Sequence, residues 1–340
     1  MRFRLTWTLL LAALVGGAAC SKSDPAETKT PATPEPKLPE ITVKGVDATA
    51  LTMRERREWT GQLSELLAPC ADVPVNLVQC LQEHRPCKAC APAAKFLFKQ
   101  VQAGKPKKER EEAFHARFDA SRVKTVVTDG SPEKGAPDAA VTIVEWADFE
   151  CPHCRLVSPL LDELVQRFPT QVRLVYKFYP LSGHLHSEPA ARAAYAASKQ
   201  GKFWEMHHTL FEHQDKLETQ DIELYAKQLG LDIAKLRADM SAKETLERID
   251  KDKKQAEGLG LEGTPFIFAN GRNIPLELLA NVEDDLIDWV KTDIELAGQT
   301  VKEVPRSAGS TTPAALPVPT ASAAAGKPEG SAAAGKPKKP

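Results

Sequence analysis

Apolar positions follow two rhythms along the chain. From residue 41 to about 119 they recur at intervals of three and four: Trp59, Leu63, Leu66 and Leu67, then Val75, Val78 and Leu81, then Ala94, Leu97 and Val101. That spacing predicts short amphipathic helices. Gly104-Lys105-Pro106 ends one helix, and residues 109–118 read as the next, with Phe114 and Phe118 one turn apart. From Val123 the rhythm changes to short β-branched and aromatic runs at 123–127, 141–146 and 172–178, which predict strands, the first followed by a Gly- and Pro-rich turn through Pro137. An amphipathic stretch at 153–168 separates the second run from the third. Strand, helix, strand with apolar strands implies a parallel pair joined by a right-handed crossover. Residues 187 to about 258 are helical again, with helices expected at 190–199, 203–213, 222–229, 233–240 and from about 244. Phe266, Phe268, Asn270-Gly271 and Ile274 then describe a hairpin with a strong turn signal, and residues 283–292 a closing helix.

Neither end of the chain can build a core. Residues 1–20 hold Arg2 and Arg4, an apolar run from Leu5 to Ala19 and then Cys20. Such a run is too short to span a membrane and has the parts of an export signal. Residues 21–40 contain five prolines among polar residues and read as a semi-rigid linker. Residues 299–340 are dominated by Ala, Pro, Gly, Ser and Lys, repeat Ser-Ala-Ala-Ala-Gly-Lys-Pro from Ser322 and Ser331, and read as a disordered tail. Losing Arg2 and Arg4 takes the formal charge from −1 to −3. A charge that mild argues against nucleic acid or a polybasic membrane patch.

Chemistry concentrates at Cys151-Pro152-His153-Cys154, between the run 139–147 and the helix that follows. The order strand, Cys-x-x-Cys, helix puts Cys151 at a helix N-terminus, where unpaired N–H groups and the helix dipole favour a thiolate. Thiols so placed titrate at roughly 3.5–7.5 and leave readily from a disulfide. Pro152 suits the first helical turn, having no N–H to satisfy. His153 can bring positive charge or a hydrogen bond near the sulfur, and Cys154, one turn on, is the resolving thiol. Half a zinc site or a structural staple are the plainer readings of such a pair. Against them stands Gly263-Thr264-Pro265-Phe266-Ile267-Phe268, a Pro opening a strand. A cis X-Pro bond there would turn the Thr264 backbone toward the disulfide.

Asp148-Phe149-Glu150-Cys151-Pro152-His153-Cys154 together with Glu262-Gly263-Thr264-Pro265-Phe266 resembles the DsbA-like branch of the thioredoxin superfamily, periplasmic thiol–disulfide oxidoreductases, over residues 123–292. The resemblance implies that Cys151 exchanges with substrate sulfur, that Cys154 resolves, and that Thr264 and Pro265 hold substrate by backbone contacts. It also implies a buried acid six residues before the nucleophile, which is Glu145. On a strand, Glu145 shares a face with Val141 and Ile143. Among apolar neighbours its pKa would rise and it could exchange a proton with Cys154, whereas an exposed strand carboxylate is the plain alternative. The fold class that follows is α/β: a thioredoxin-like fold at 121–298 with a helical insertion at about 183–258, preceded by a small all-α four-cysteine domain at 41–120.

Val15-Gly16-Gly17-Ala18-Ala19-Cys20 resembles a bacterial lipobox, with Gly17 a departure from the usual aliphatic residue. It implies a lipidated Cys20 and an envelope lipoprotein, and leaves six cysteines, an even number suited to an oxidising compartment. Cys70, Cys80, Cys87 and Cys90 read as two structural disulfides stapling a thin helical core. Alternatively Cys87-Lys88-Ala89-Cys90 is a second redox pair, since the run 87–118 is similar to the thiol-reductase module of cytochrome c maturation, or the four thiolates hold a metal. His184, His186, His207, His208 and His213 read as surface or capping histidines. The expected activity is disulfide oxidation through Cys151–Cys154, without cofactor or metal, on unfolded or reduced exported proteins, with a membrane partner restoring the disulfide. Isomerase or reductase action, or a lipid-anchored module holding copper without catalysis, are the competing expectations.

Overall fold

The computed structural model describes residues 38–305. Residues 1–37, which hold the expected export signal, Cys20 and most of the expected linker, and residues 306–340, most of the expected tail, lie outside the described residues.

Four helices come first: α1 (Met53–Glu65), α2 (Leu77–Gln82), α3 (Cys90–Gln102) and α4 (Lys107–Phe118). Thr52 and Glu55 form a reciprocal capping box that starts α1. The apolar stripes meet in one core where Trp59, Leu63, Leu77, Ala93, Ala94 and Leu97 are fully enclosed. Trp59 pins α1 to α3 by donating its indole N–H to the Ala94 carbonyl at 3.0 Å.

A five-stranded sheet follows, in spatial order β1 (Glu133–Gly135), β3 (Val172–Phe178), β2 (Val141–Ala147), β4 (Phe266–Ala269), β5 (Arg272–Asn273). Strands β2 and β3 are parallel, joined through α5 (Pro152–Arg167), and every other pairing is antiparallel. Alternation along β2 sorts its side chains. Val141 and Ile143 enter the core under α5 and α11 (Val282–Leu296), while Val144 and Trp146 face the opposite layer with Val175, Phe268 and Ala256.

Between β3 and β4 the chain inserts α6 (Ser187–Ser198), α7 (Phe203–Glu212), α8 (Thr219–Gln228), α9 (Ile233–Ser241) and α10 (Lys243–Gly258). Six buried alanines let the other inserted helices approach α6 closely. Helix α10 returns beneath the sheet, where Asp252 accepts from Lys177 Nζ at 2.9 Å and from the Phe178 N–H at 3.2 Å, with Arg248 as a further partner. Lys177 and Asp252 are both buried, so each ion is compensated by the other.

Two expectations are corrected. Residues 123–127 are not a strand. Val123 and Val127 are exposed, and the segment makes a backbone bond from Lys124 N–H to the Gly271 carbonyl at 2.7 Å. The edge strand is β1, inside the expected turn, held by its pairing to β3 rather than by its own composition. Gly135 is required there, because at φ 98° a Cβ would lie 2.3 Å from the Val172 carbonyl oxygen. Likewise the segment 299–304 is tied down, although a loose tail was expected from 299. Gln171 binds Gln299, Thr300 and Lys302, Val304 N–H reaches the Arg167 carbonyl at 2.8 Å, and Glu303 pairs with Arg167 and Lys291. The hairpin turn at Asn270-Gly271 has both residues at positive φ, 48° and 79°, as that sequence demands.

Candidate active site

Strand β2 ends at Ala147, and the next residues fold into a turn built by Asp148. Its Oδ1 accepts from the Glu150 N–H at 2.7 Å, its carbonyl accepts from the Cys151 N–H at 3.1 Å, and its Oδ2 accepts from the Leu181 N–H at 2.8 Å. Asp148 Oδ2 also lies 2.7 Å from His184 Nδ1, and Glu150 Oε2 accepts from the His186 N–H at 2.8 Å. Two carboxylates preceding the cysteine therefore fasten the 181–186 loop beside it. Cys151 occupies the N-cap of α5 with extended dihedrals, and Pro152 takes the first helical position.

Cys151 and Cys154 are both free thiols, and both are buried. A hydrogen bond with Cys154, contact with Thr264 and the backbone N–H groups of Cys154 and His153 outweigh burial and bring the Cys151 thiol down to about 5. Burial, reinforced by the hydrogen bond and charge of Cys151, pushes Cys154 well above the ordinary thiol range. The two sulfurs thus divide into an ionised outer thiol and a protonated inner one. His153 acts through its backbone N–H, and its ring is exposed with Pro152.

Opposite the sulfur is the loop leading into β4. The Thr264–Pro265 peptide is cis, and Cys151 Sγ lies 3.5 Å from the Thr264 carbonyl oxygen. The two sequence motifs, more than a hundred residues apart, meet because β2 and β4 are paired neighbours.

Glu145 is 1% exposed, which removes the alternative of a surface carboxylate. It sits in register between Tyr176 on β3 and Ile267 on β4. Burial first, then Asp162 and Cys151, raise its pKa to about 8 against the opposing charge of Lys134. Glu145 Oε1 has no hydrogen-bond partner among the described residues.

Sequence reasoning gave Asp148 and Glu150 no role beyond the motif, read His184 only as a surface or capping histidine, and missed Gln214. An Asp two residues before a turn amide is a signal that was available. Gln214, which follows α7, offers none. Yet its side-chain Nε2 donates to the carbonyls of both Phe149 and Cys151 at 2.8 Å. His207 is the correction among the histidines: it is buried in a cage of Phe149, Tyr176, Phe203, Trp204 and Phe211, and burial holds its pKa well below the ordinary value. Neighbouring residues on a helix point about 100° apart. His208 accordingly faces outward, to Asp162 Oδ2 at 2.5 Å.

In the helical module the disulfides are Cys70–Cys87 and Cys80–Cys90, so the tight pair Cys87/Cys90 is split between two bonds. The module lies away from Cys151. Asn270, at the far end of β4 from Pro265, reaches Asp293 on α11, and Lys88 lies beside Gly298, just past the C-terminus of that helix.

Residues 127–288 match the thioredoxin family model. Among solved structures, a thioredoxin-like oxidoreductase from Silicibacter pomeroyi DSS-3 is 34% identical, covers 49% of this chain and 94% of its own, and has a TM-score of 0.45. A periplasmic thioredoxin-like protein from Salmonella enterica serovar Typhimurium is 25% identical over 54% of this chain and 97% of its own, with a TM-score of 0.43. Among curated proteins, the Na(+)/H(+) antiporter NhaA 1 of Mycolicibacterium gilvum (strain PYR-GCK) is 41% identical over 142 residues, 41% of this chain and 23% of that protein. The chain thus spans under a quarter of that relative's length. Among the described residues no helix is long and apolar enough to cross a membrane. Residues 127–288, with their Cys-Pro-His-Cys turn and the helices inserted between β3 and β4, belong to the thioredoxin family and are similar to its DsbA-like thiol–disulfide oxidoreductases.

Proposed function

We propose that the protein is a disulfide oxidase of the cell envelope. In its oxidised form the Cys151–Cys154 disulfide is attacked at Cys151 by a substrate thiolate. The sulfur–sulfur bond breaks, Cys154 leaves with the electron pair, and a mixed disulfide links substrate to Cys151. A second substrate thiolate attacks the substrate sulfur of that bond, and Cys151 leaves as a thiolate. Glu145, protonated at neutral pH, supplies a proton to the departing Cys154 and recovers it when a redox partner restores the disulfide. Thr264 and Pro265 would present backbone to an extended substrate segment next to Cys151.

The observation that carries this reading is the placement of Cys151 at the N-cap of α5, 3.5 Å from the Thr264 carbonyl oxygen and beside the fully buried Cys154, which brings the outer thiol down to about 5 and keeps the inner one protonated. Ionisation of Cys151 at pH 7 favours the reduced form, and moves the couple in the oxidising direction by about 60 mV relative to a thiol titrating at 9.0. Reduced, unfolded exported proteins are the substrates proposed, and a membrane protein the partner that restores the disulfide. An anchor at Cys20 would keep the enzyme at the envelope membrane.

The test is oxidation of a reduced, unfolded protein by the full chain, with the couple equilibrated against glutathione. An oxidase has a potential above that of the thiols it oxidises, and Cys151→Ser abolishes turnover. Full activity in Cys151→Ser would defeat the proposal. A strongly reducing potential together with reshuffling of scrambled disulfides would assign the isomerase or reductase role instead.

A further inference from the structure

Outside the site just described, a close group of reactive atoms among the described residues lies in the helical module. Cys80, Cys87 and Cys90 are buried, and their three sulfurs all lie within 4.8 Å of one another although they belong to two different disulfides. Cys70, the fourth sulfur-bearing residue, is only partly buried. A sulfur leaving one bond would therefore find the other bond at once, without the backbone having to open.

Exposure sets the direction of that exchange. Cys70 is only partly buried, whereas Cys87 is 7% exposed. An external thiolate therefore reaches Cys70, and Cys87 is the sulfur that leaves.

We propose that the two disulfides form a second exchange centre, a relay that takes thiol electrons at Cys70 and passes them inward to Cys80. An external thiolate attacks Cys70 Sγ; the Cys70–Cys87 bond breaks, a mixed disulfide forms at Cys70, and Cys87 leaves as a thiolate. Cys87 then attacks Cys90 Sγ; the Cys80–Cys90 bond breaks, Cys87–Cys90 forms, and Cys80 leaves with the electron pair. A second external thiolate attacks the external sulfur of the mixed disulfide and frees Cys70. Two external thiols have become one disulfide, and the module has exchanged two disulfides for one disulfide and two thiols. In this state Cys87-Lys88-Ala89-Cys90 is a closed Cys-x-x-Cys pair. The centre works separately from Cys151, which lies at the other end of the sheet.

The experiment uses the full oxidised chain carrying Cys151→Ser and Cys154→Ser, so that the proposed oxidase site cannot contribute and its failure cannot be confused with failure of the relay. One equivalent of reduced glutathione is added, the mixture is acid-quenched and alkylated with N-ethylmaleimide, and the bonds are mapped by mass spectrometry. Trypsin cuts after Lys88, which separates Cys87 from Cys90 unless a disulfide joins them. The expected result is glutathione on Cys70, N-ethylmaleimide on Cys80 and a new Cys87–Cys90 bond, with the Cys80–Cys90 species lost in proportion to the glutathione gained. Glutathione on Cys70 with alkylated Cys87 and an intact Cys80–Cys90 bond would overturn the relay. So would a chain that takes up no glutathione at either disulfide.

Discussion

Gln214 holds the backbone of Cys151: one side-chain amide, projected from the helical insertion, donates to the Cys151 carbonyl and to the Phe149 carbonyl at 2.8 Å each. The Cys151 carbonyl also opens α5 by accepting the Arg155 N–H at 3.3 Å. Gln214 thereby fixes the entry into the helix whose first amides stabilise the thiolate, and offsets the negative ends of two carbonyl dipoles close to the sulfur. Replacing it with Leu leaves both carbonyls without this donor, at a cost of about 2 kcal/mol. The expected outcome for Gln214→Leu is a Cys151 pKa above the wild-type value, read from thiolate absorbance at 240 nm, with about tenfold slower oxidation of a reduced peptide. A variant that loses thermal stability yet keeps the wild-type thiolate titration would show Gln214 to be structural only.

A thiol brought down to about 5 makes the reduced protein sensitive to acid. Because the folded pKa is depressed, the stabilisation is complete above the unfolded value of about 9 and is lost as pH falls toward 5. At pH 7 it amounts to roughly 3 kcal/mol, and the disulfide form has no such contribution. The melting temperature of the reduced chain should therefore rise relative to that of the oxidised chain between pH 5 and pH 7.5. Iodoacetamide at pH 7 should label Cys151 quickly and leave Cys154, 0% exposed and protonated, unlabelled. A gap in melting temperature that does not change between pH 5 and pH 7.5 would contradict the thiolate assignment.

What could be read in the sequence was whatever local pattern decides. Strand β3 falls on 172–178 because its apolar run is continuous, and α5 is placed by Pro152 and the periodicity behind it. The meeting of Cys151 with Thr264 was legible because each motif states its own backbone geometry. Strand β1 was not, since Glu133-Lys134-Gly135 has no β pattern and is a strand only through β3. Cysteine pairing was equally hidden, because Cys70 reaches Cys87 through the packing of the helical module rather than through spacing. Gln214 and His207 belong to the same class. A glutamine after a helix and a histidine beside another histidine acquire meaning only when the insertion folds over residue 149.

Glu145 separates stability from activity. Its carboxyl is raised to about 8 by burial, so between 4.5 and 8 the folded chain holds a proton that the unfolded chain has lost. Stability on this account is full below 4.5 and falls as pH rises through that window, by roughly 5 kcal/mol in all. Glu145→Gln, neutral throughout, should match wild type at pH 4 and exceed it increasingly toward pH 8 in urea unfolding. At pH 8 and above, where wild-type Glu145 ionises, the same variant should slow reformation of the Cys151–Cys154 disulfide by tenfold to about a hundredfold, since no carboxylate is left to take the Cys154 proton. Equal urea midpoints for the two proteins at pH 8 would mean that Glu145 is not held protonated.

Arg117 joins the four-helix module to the sheet domain. It is 4% exposed, its guanidinium lies 4.2 Å over the Trp289 ring, and Nη2 donates to the carbonyls of Asp288 and Trp289 at 3.2 and 3.3 Å. Burial draws its pKa down against the opposing pull of Asp293 and Asp288. Around it, Lys99 pairs with Asp288 at 2.7 Å and Arg272 donates to the Asp119 carbonyl at 2.5 Å. Arg117→Ala removes a planar cation from an aromatic face, opens a cavity and leaves Asp293 with less compensation. The expected loss is about 2–4 kcal/mol. Arg117→Lys should recover little of it, because a lysine cannot lie flat on the indole while donating to two carbonyls. Calorimetry should show the whole transition moving to lower temperature, since module and sheet share this cluster. At 25 °C kcat/KM should stay within about twofold of wild type, Arg117 lying well away from the Cys151 turn. An unchanged melting temperature in Arg117→Ala would mean that the module is held to α11 by its other contacts alone.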